Sequence, residues 1–565
     1  MRFPFSYRHL HLLRRLKNML VLFQPQNQNL IAYDLWRYSV IQELQLTPTL
    51  MDFCRGEKSV GAFNFEHATR TSGGTRIVHQ SRHNQLIVVS KIYQDEREDG
   101  WWPFREVAGR ETFVDKTEFI KHFLDSREQL VLVAPPNFGK STNLQMLKHF
   151  FQIPVDAMGA NLTFNMAEKG TFFGNLAICK KHPSICSSYL SSAPVVFLDL
   201  ESVVGSTPTT FHETFRAEVE RVFRAHGYLA KSERLSAFNK EEFASYESHL
   251  GAPNRTIGFY KDGIDVLTRL LFIHHRRKCI LLVDNFDRLA VAAMLGKDEE
   301  YLLPVEVDDI YFSLGKTAKH SVFVSRTLLT GVFRMGSHRQ WHDANLFYHS
   351  IFADPQISQH FGLTLAEVEA LIGRLGRSKD HSNVDLQGIK HYFDGYSVCD
   401  KQIKIFNTGT VVGYLEGADE DDLIPSLPLF SIYKPLFRFE LLGEHLQEAG
   451  EHGTDLAPQW VISITDLFQL REAVHVNVTN FNGTHDKDLL VQLLQEAGYF
   501  TATARHPNGS VHLEIPCLAV KEAYEDLVYH DESFVIEEEE LEKKLEANAA
   551  TRNNTHGHKG KRKGP

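Results

Sequence analysis

The stretch QLVLVAPPNFGKSTNLQMLKHFF, residues 129–151, decides the fold of this chain. It begins with an apolar run of β character at 130–133 and turns at Pro135 and Pro136. After residues 138–142, apolar side chains recur at helical spacing to the end of the stretch. A strand, a loop with Gly-Lys-Ser and a helix form the context in which a phosphate-binding loop works, because backbone N–H groups and the helix N-terminus face the phosphates.

The residues of this loop have expected roles. Lys140 would reach the β- and γ-phosphates of a nucleotide, and Ser141 would hold Mg²⁺. The loop consensus begins with Gly, whereas this chain has Ala134. Because the two prolines have no N–H to offer, the expected nucleotide-binding residues follow them: Asn137, Phe138, Gly139, Lys140, Ser141 and Thr142. The alternative is a chance Gly-Lys-Ser in a surface turn.

A second nucleotide-binding element is expected at residues 280–287, ILLVDNFD. Four apolar residues that end in Asp284 have the form of a Walker B strand, whose carboxylate helps to hold Mg²⁺. A further strand, expected at 321–329, leads to Thr330 and Arg334. Thr330 would sense the γ-phosphate, and Arg334 would stabilise the charge of the transferred group.

Alternating strands and helices, with both motifs at strand ends, predict an α/β fold: a P-loop NTPase with a parallel sheet covered by helices. A mostly helical lid region and a small α+β C-terminal unit are expected to follow. The expected divisions are an N-terminal extension at 1–100, the P-loop domain at 101–345, the lid region at 346–456, the α+β unit at 457–530 and a charged tail at 531–565.

Three local patterns give further expectations. Residues 113–124 are expected to form a helix just ahead of the phosphate-loop strand. Thr364 and Glu367 have the spacing of a capping box at the start of the next helix. The sequence Pro-Asn-Gly at 507–509 predicts a hairpin turn.

Composition limits the class of protein. Hydrophobic content of 43% and charged content of 23% are typical of globular proteins. The 71 acidic and 61 basic side chains give no general basic surface, so any nucleic-acid contact would have to be local. Six cysteines without a C-x-x-C pair indicate neither a disulfide framework nor a zinc ribbon, and Cys179 and Cys186 are expected to be free thiols. No apolar run approaches the length of a membrane span.

These features indicate an intracellular protein, cytoplasmic or nuclear, with no membrane contact. The first 33 residues contain five Lys or Arg and no acidic residue, so mitochondrial import is an alternative. The basic run at 274–278 is expected to cap a helix rather than to bind nucleic acid. A protein partner or self-association is expected.

Together these motifs resemble the AAA-ATPase-like family, P-loop proteins often fused to a PD-(D/E)XK nuclease domain. The match is collinear from Phe104 to Leu527, most of the chain. The matching segments, in family order, are 113–117, 138–141, 143–151, 329–331 with Arg334, Asn345, 361–364 with Glu367 and Val368, 394–396, 489–499 and 513–520. The resemblance implies ATP and Mg²⁺ as cofactors.

The chain departs from the family pattern in three places. Ala134, Pro136 and Asn137 occupy loop positions where the family usually carries arginines. The Walker B segment reads Asp-Asn-Phe-Asp at 284–287, where Asp-Glu-Tyr-Asp is usual. A nuclease domain is not expected, because the 35 residues from 531 to 565 are too few for its sheet. No nuclease activity is therefore expected.

The second departure bears on hydrolysis. The resemblance places the group that activates water on the acidic residue after Asp284, where this chain has Asn285, and an amide cannot take a proton. If the strand continued through 284–287, Asp287 would share the face of Asn285 and could substitute for it. The implied function is an ATP-dependent switch with slow hydrolysis, with Lys140, Asp284, Asp287 and Arg334 as the candidate catalytic residues. The alternatives are a non-hydrolysing scaffold and a nucleic-acid-associated factor without the nuclease.

Overall fold

A computed structural model describes the chain between residues 102 and 529, with gaps. The described residues are 102–126, 129–205, 207–247, 257–295, 302–337, 346, 348–375, 386–398, 403–417, 430, 440–458, 460–475 and 483–529. All of them fall within one compact unit, Ser81–Pro565. The expected N-terminal extension, the charged tail and Asn345 lie outside the described residues. No helix of the described part is both long and apolar enough to cross a bilayer.

Helices and strands alternate through the first half of the described chain. The helices are α1 (Trp102–Ala108), α2 (Phe119–Asp125), α3 (Lys140–Phe151), α4 (Thr163–Gly174), α5 (Ala177–Lys181), α6 (Pro183–Tyr189), α7 (Pro208–Arg224), α8 (Ala237–Glu247), α9 (Ile257–Tyr260), α10 (Gly263–His275), α11 (Arg288–Leu295), α12 (Leu302–His320), α13 (Pro355–Ser358), α14 (Leu365–Leu375), α15 (Leu386–Phe393), α16 (Thr408–Leu415), α17 (Glu440–His452), α18 (Ile464–His475), α19 (Gly483–Ala497) and α20 (Leu518–Tyr529). The strands are β1 (Gln129–Val133), β2 (Val195–Asp199), β3 (Cys279–Asp284), β4 (Val324–Gly331), β5 (Met335–Gly336), β6 (Tyr348–Ser350), β7 (Tyr396–Val398), β8 (Ile403–Ile405), β9 (Thr454–Leu456), β10 (Ile462–Ser463), β11 (Thr501–Arg505) and β12 (Val511–Glu514).

The central sheet is parallel, with strand order β2-β3-β4-β1-β6. Strand β4 therefore lies between the phosphate-loop strand β1 and the Walker B strand β3. Nearly continuous apolar runs in β1 and β3 are buried throughout, which is typical of a parallel sheet covered on both faces. Helices α3, α7, α10 and α12 pack against its strands. The predicted α/β architecture is confirmed.

The lid region has its own small core. Helices α14, α15 and α16 contribute side chains to it, and Ala519 of α20 joins them. The C-terminal unit builds a sheet of order β11-β12-β9, and α17 packs against α20, so that 440–456 of the expected lid region joins this unit. Its remaining buried side chains belong to the same apolar core as the central sheet. The lid and the C-terminal unit therefore pack on the P-loop domain.

Two of the local patterns have the expected structure. The Thr364 amide donates to Glu367 Oε2 at 2.8 Å and the Glu367 amide donates to Thr364 Oγ1 at 3.4 Å, which is a capping box. Strands β11 and β12 form the expected antiparallel hairpin, with Gly509 at φ +88°. The basic run also caps a helix, since Arg276 is the left-handed C-cap residue of α10.

The expectation of free thiols at two cysteines was wrong. Cys179 and Cys186 form a disulfide with a Cα–Cα distance of 5.5 Å. Neither cysteine belongs to a C-x-x-C motif, so no local pattern indicated this pairing. The short helices α5 and α6 meet at His182, and this turn brings the two side chains together.

The helix expected from residue 113 begins later, at Phe119. Asp115 Oδ1 accepts hydrogen bonds from the amide and the hydroxyl of Thr117, at 3.0 and 2.6 Å. Its other oxygen accepts from the amide of Ala177 at 2.7 Å, at the start of α5. A short polar side chain that binds nearby amides competes with helix formation. The Asp-Lys-Thr segment is thus a structural junction between α2 and α5.

Replacement of this aspartate is expected to destabilise the protein. Asp115→Ala leaves the buried Thr117 and the start of α5 without their acceptor, at a cost of roughly 1–3 kcal/mol in the free energy of unfolding. Asp125→Ala is the matched control, because Asp125 forms only an exposed ion pair with Lys121, worth about 0–1 kcal/mol. Urea unfolding measures both, and equal midpoints for the two variants would contradict this role of Asp115.

Candidate phosphate-binding site

The phosphate loop leaves β1 and enters α3 through two residues with left-handed backbone. Asn137 has φ +67° and Gly139 has φ +78°. Gly and Asn are the residues that adopt this conformation at least cost, which explains their presence on either side of Phe138. No side chain caps α3, whose N-cap is Gly139. The first amides of this helix are therefore available to an anion.

Lys140 is buried, and its ammonium group closes the loop. Nζ donates to the carbonyl oxygens of Ala134 and Pro135, at 2.7 and 2.8 Å. Burial lowers the pKa of Lys140 to about 8, against the opposing charges of Asp287 and Asp284. A phosphate group would offer the ammonium stronger acceptors than these neutral carbonyls.

Ser141 and Asp284 meet across the ends of β1 and β3. Ser141 lies close enough to the Asp284 carboxylate to lower its pKa, and Thr330 Oγ1 donates to Asp284 Oδ1 at 2.6 Å. Burial and the neighbouring charge of Asp199 raise the pKa of Asp284 to about 6. A hydroxyl beside a carboxylate that bears an unfavourable buried charge is a donor set that suits Mg²⁺. The residues expected to hold the metal therefore lie together.

Strand β3 ends at Asp284, and the two candidate residues after it are not on a strand. Asn285 has φ +54°, and its Nδ2 donates to Asp199 Oδ1 at 2.9 Å. The Asp287 carboxylate is buried beside Gly331, where a Cβ would lie 2.6 Å from Oδ1, and it accepts a hydrogen bond from the Phe333 amide at 3.4 Å. Strand alternation therefore does not place Asp287 where it would substitute for Asn285. The Asp287 carboxylate does interact electrostatically with Lys140.

Arg334 lies just after β4, as expected, but it is engaged with another part of the chain. Its Nε lies 3.3 Å from Oε1 of Glu496, near the end of α19. Its backbone amide donates to Oε2 of the same residue at 2.9 Å. In this conformation Arg334 is paired with a carboxylate of the C-terminal unit.

The lid and the C-terminal unit cover the loop itself. Phe138 is fully buried, with edge contacts to Phe352 and Tyr396. The Asn137 carbonyl accepts from the Gly409 amide at 2.8 Å. Asn407, the N-cap of α16, donates from Nδ2 to the Pro136 carbonyl at 3.0 Å. Two of the predicted binding residues thus also fix the loop to the lid, while Thr142 lies half-buried in the first turn of α3.

Three acidic residues of the site were not recognised in the sequence. Asp199 ends β2 directly beside Asp284 in the parallel register. Glu201 follows it, and burial, then the charges of Asp199 and Asp284, raise its pKa. An apolar run that ends in Asp, like that of β3, is the signal that could have identified Asp199. Glu496 is one acidic residue among several in α19 and carries no local signal.

Residues 103–339 match the family model described as predicted AAA-ATPase. Among solved structures, the chain is similar to a Walker-type ATPase of Pyrococcus abyssi, with 12% identity over 72% of this chain and 94% of that one and a TM-score of 0.30. A chain in the structure of Drosophila ORC bound to AT-rich DNA and Cdc6 has 11% identity, coverage of 77% and 97%, and a TM-score of 0.15. No curated protein matched. At these TM-scores the fold assignment rests on the sheet and its motifs.

The charge on Asp284 is expected to cost stability when no metal is bound. Because the folded protein holds this proton more tightly than the unfolded chain, stability falls as pH rises from 3.8 to about 6. At pH 7.5 without Mg²⁺, Asp284→Asn should raise the free energy of unfolding by roughly 1–3 kcal/mol. It should also remove any stabilisation by added Mg²⁺.

Thermal unfolding with EDTA or MgCl₂ measures both effects. Asp265→Asn is the control, because Asp265 is exposed in the first turn of α10. That variant should lose about 0.3–1 kcal/mol of helix-dipole stabilisation and keep the Mg²⁺ response of the wild type. A Mg²⁺ response that survives in Asp284→Asn would contradict the metal assignment.

Proposed function

Since residues 103–339 match the family model described as predicted AAA-ATPase, we propose that the chain binds ATP with Mg²⁺ and acts as a nucleotide-dependent switch with slow hydrolysis. The observation that carries the proposal is the close approach of the phosphate loop to Asp284, which interacts with Ser141 and Lys140 and accepts a hydrogen bond from Thr330. Ser141 and Asp284 come from two motifs that are 143 positions apart, and the parallel sheet brings them together at the loop. A chance Gly-Lys-Ser turn would not account for that approach.

Each part of the bound nucleotide would have a named partner. The amides of residues 138–142 and the Lys140 ammonium would bind the phosphates, and Ser141 and Asp284 would hold Mg²⁺. Thr330 would act through Asp284, because its hydroxyl already orients that carboxylate. Bound Mg²⁺ would supply charge neutralisation between the β- and γ-phosphates. A protein partner or a second copy of the chain would bind the nucleotide-bound and nucleotide-free forms with different affinity.

Removal of the Lys140 charge should weaken nucleotide binding. Lys140→Ala loses a charge-assisted contact worth about 1.5–3 kcal/mol, which corresponds to roughly 10- to 100-fold in Kd. Titration with a fluorescent ATP analogue measures the loss. Lys121→Ala, which removes an exposed lysine paired with Asp125, is the control and should bind as the wild type does. Equal affinity of the wild type and Lys140→Ala would refute the proposal.

The same lysine predicts a pH dependence of binding. Its pKa is about 8 in the ligand-free protein, and phosphate contact would raise that pKa. The nucleotide therefore prefers the protonated form, so that affinity should be constant between pH 6.5 and 7.5. Above pH 8 it should fall by up to about tenfold per pH unit. A flat affinity profile from pH 7 to 9.5 would argue against contact between Lys140 and the phosphates.

Slow hydrolysis follows from the residues around the Walker B strand. The Asn285 side-chain amide donates to Asp199 and is not a base, while the Asp287 carboxylate accepts a hydrogen bond from the Phe333 amide. Loss of a positioned general base typically costs about 10²–10⁴ in rate. Glu201 is the carboxylate that could restore part of this rate, because it lies in the field of Asp284 and its pKa is raised.

A glutamate at position 285 should accelerate phosphate release. The structure adds a condition, since a carboxylate there would face Asp199 and would be repelled. Asn285→Glu should therefore gain at least about tenfold in turnover when combined with Asp199→Asn, and less alone. Asp199→Asn by itself is the control. Fast turnover by the wild type, unaltered by Asn285→Glu and Asp199→Asn, would contradict the proposal of slow hydrolysis. Glu201→Gln would then test whether Glu201 is the base.

A further inference from the structure

The guanidinium of Arg334 is buried but incompletely satisfied. Its charge is compensated by Glu496, at 3.3 Å, and the side chain is only 15% exposed. The geometry of this ion pair is not that of a hydrogen bond, and Arg334 Nε has no hydrogen-bond partner among the residues that the structure describes. A buried donor without an acceptor costs free energy, so a better acceptor within reach would be favoured.

Glu496 has other hydrogen bonds that do not depend on this guanidinium. Its Oε2 accepts from the backbone amide of Arg334 at 2.9 Å. Its Oε1 accepts from Gln492 Nε2 at 3.0 Å, one turn earlier in α19. If the guanidinium left, the carboxyl group would keep two donors. The pair is thus arranged so that one partner can depart without leaving the other unbonded.

The Arg334–Glu496 pair lies at the edge of the phosphate-binding site. Asp287 interacts electrostatically with Lys140 and with Glu496, and it accepts a hydrogen bond at 3.4 Å from the amide of Phe333, the residue before Arg334. Two residues after Glu496, Gly498 contacts the loop directly, because a Cβ at Gly498 would lie 2.8 Å from Pro135 Cβ. The end of α19 therefore contacts both the phosphate loop and the segment after β4.

We infer that Glu496 pairs with the Arg334 guanidinium in the ligand-free protein, and that the guanidinium leaves Glu496 and binds the phosphates when the nucleotide is bound. This inference rests on the proposed ATP binding and adds to it a positioning residue from the C-terminal unit. The exchange would also couple nucleotide binding to the C-terminal unit. The backbone carbonyl of Arg334 accepts a hydrogen bond from the Ile462 amide at 2.8 Å, and directly after Arg334 strand β5 pairs with β10. A shift of Arg334 would therefore act on the C-terminal unit.

Proton uptake distinguishes this exchange from a purely structural role. Burial raises the pKa of Glu496 to about 7, while Arg334 lowers it and Asp287 raises it. Tyr348 is the other titratable group that faces the pair. Departure of the guanidinium would raise this pKa further, so Glu496 would take up a fraction of a proton at pH 7.5. Lys140 also gains a proton on binding, and that contribution cancels between variants that retain it.

The test is calorimetric titration of the full chain with a non-hydrolysable ATP analogue and Mg²⁺. Titrations at pH 7.5 in two buffers of different ionisation enthalpy give the number of protons taken up. Glu496→Gln should take up fewer protons than the wild type and bind the analogue about 5-fold or more tighter, because the carboxylate no longer competes for Arg334. Glu525→Gln, which breaks a half-exposed pair with Lys521, is the matched control and should equal the wild type.

A second variant keeps the test decisive if Glu496→Gln does not fold. Arg334→Gln combined with Glu496→Gln removes both buried charges, and it should show reduced proton uptake together with weaker binding. Wild-type affinity and proton uptake in Glu496→Gln, or in the double variant, would overturn the exchange while leaving ATP binding intact. Failure of the wild type to bind the analogue would instead overturn the proposed function, and the exchange with it.

Discussion

The parallel register of β2, β3, β4 and β1 is the constraint on which the rest of the structure depends. Val133 pairs with Gly331, and Asp199 pairs with Asp284, so the strands end at one edge of the sheet. Residues that lie far apart in the chain are brought to that edge because parallel strands all run in the same direction. A shift of one residue would turn Asp284 to the opposite face and separate it from Ser141.

The charged groups at this edge of the sheet are buried, and their burial costs stability. Lys140, Asp284 and Asp287 are all buried, and each lies in the electrostatic field of another. Water cannot solvate them, so the protein compensates with carbonyl, hydroxyl and amide partners. Compensation of this kind is weaker than a phosphate or a divalent cation would supply. The ligand-free site thus stores free energy that an anion and a cation together would release.

The local parts of the site could be predicted from the sequence, and the long-range parts could not. The phosphate loop and the Walker B strand are short patterns whose spacing determines their structure. The role of Asp199 depends on β2 lying beside β3, which the sequence does not state. Glu496 lies 162 residues after its partner Arg334, in a helix whose acidic positions look alike. The late start of α2 reflects a side-chain competition at Asp115 that helical periodicity does not reveal.

The contact between Gly498 and Pro135 has a consequence for how the protein is made. Gly498 lies 363 positions after Pro135 in the chain. At about 5–20 residues per second, a ribosome needs roughly 20–70 s to synthesise that interval. Within this interval Asn407 and Gly409 are synthesised about 270 residues after Pro135, and the end of α19 follows about 90 residues later. The growing chain therefore passes through a period in which the loop is synthesised but not yet covered by these residues.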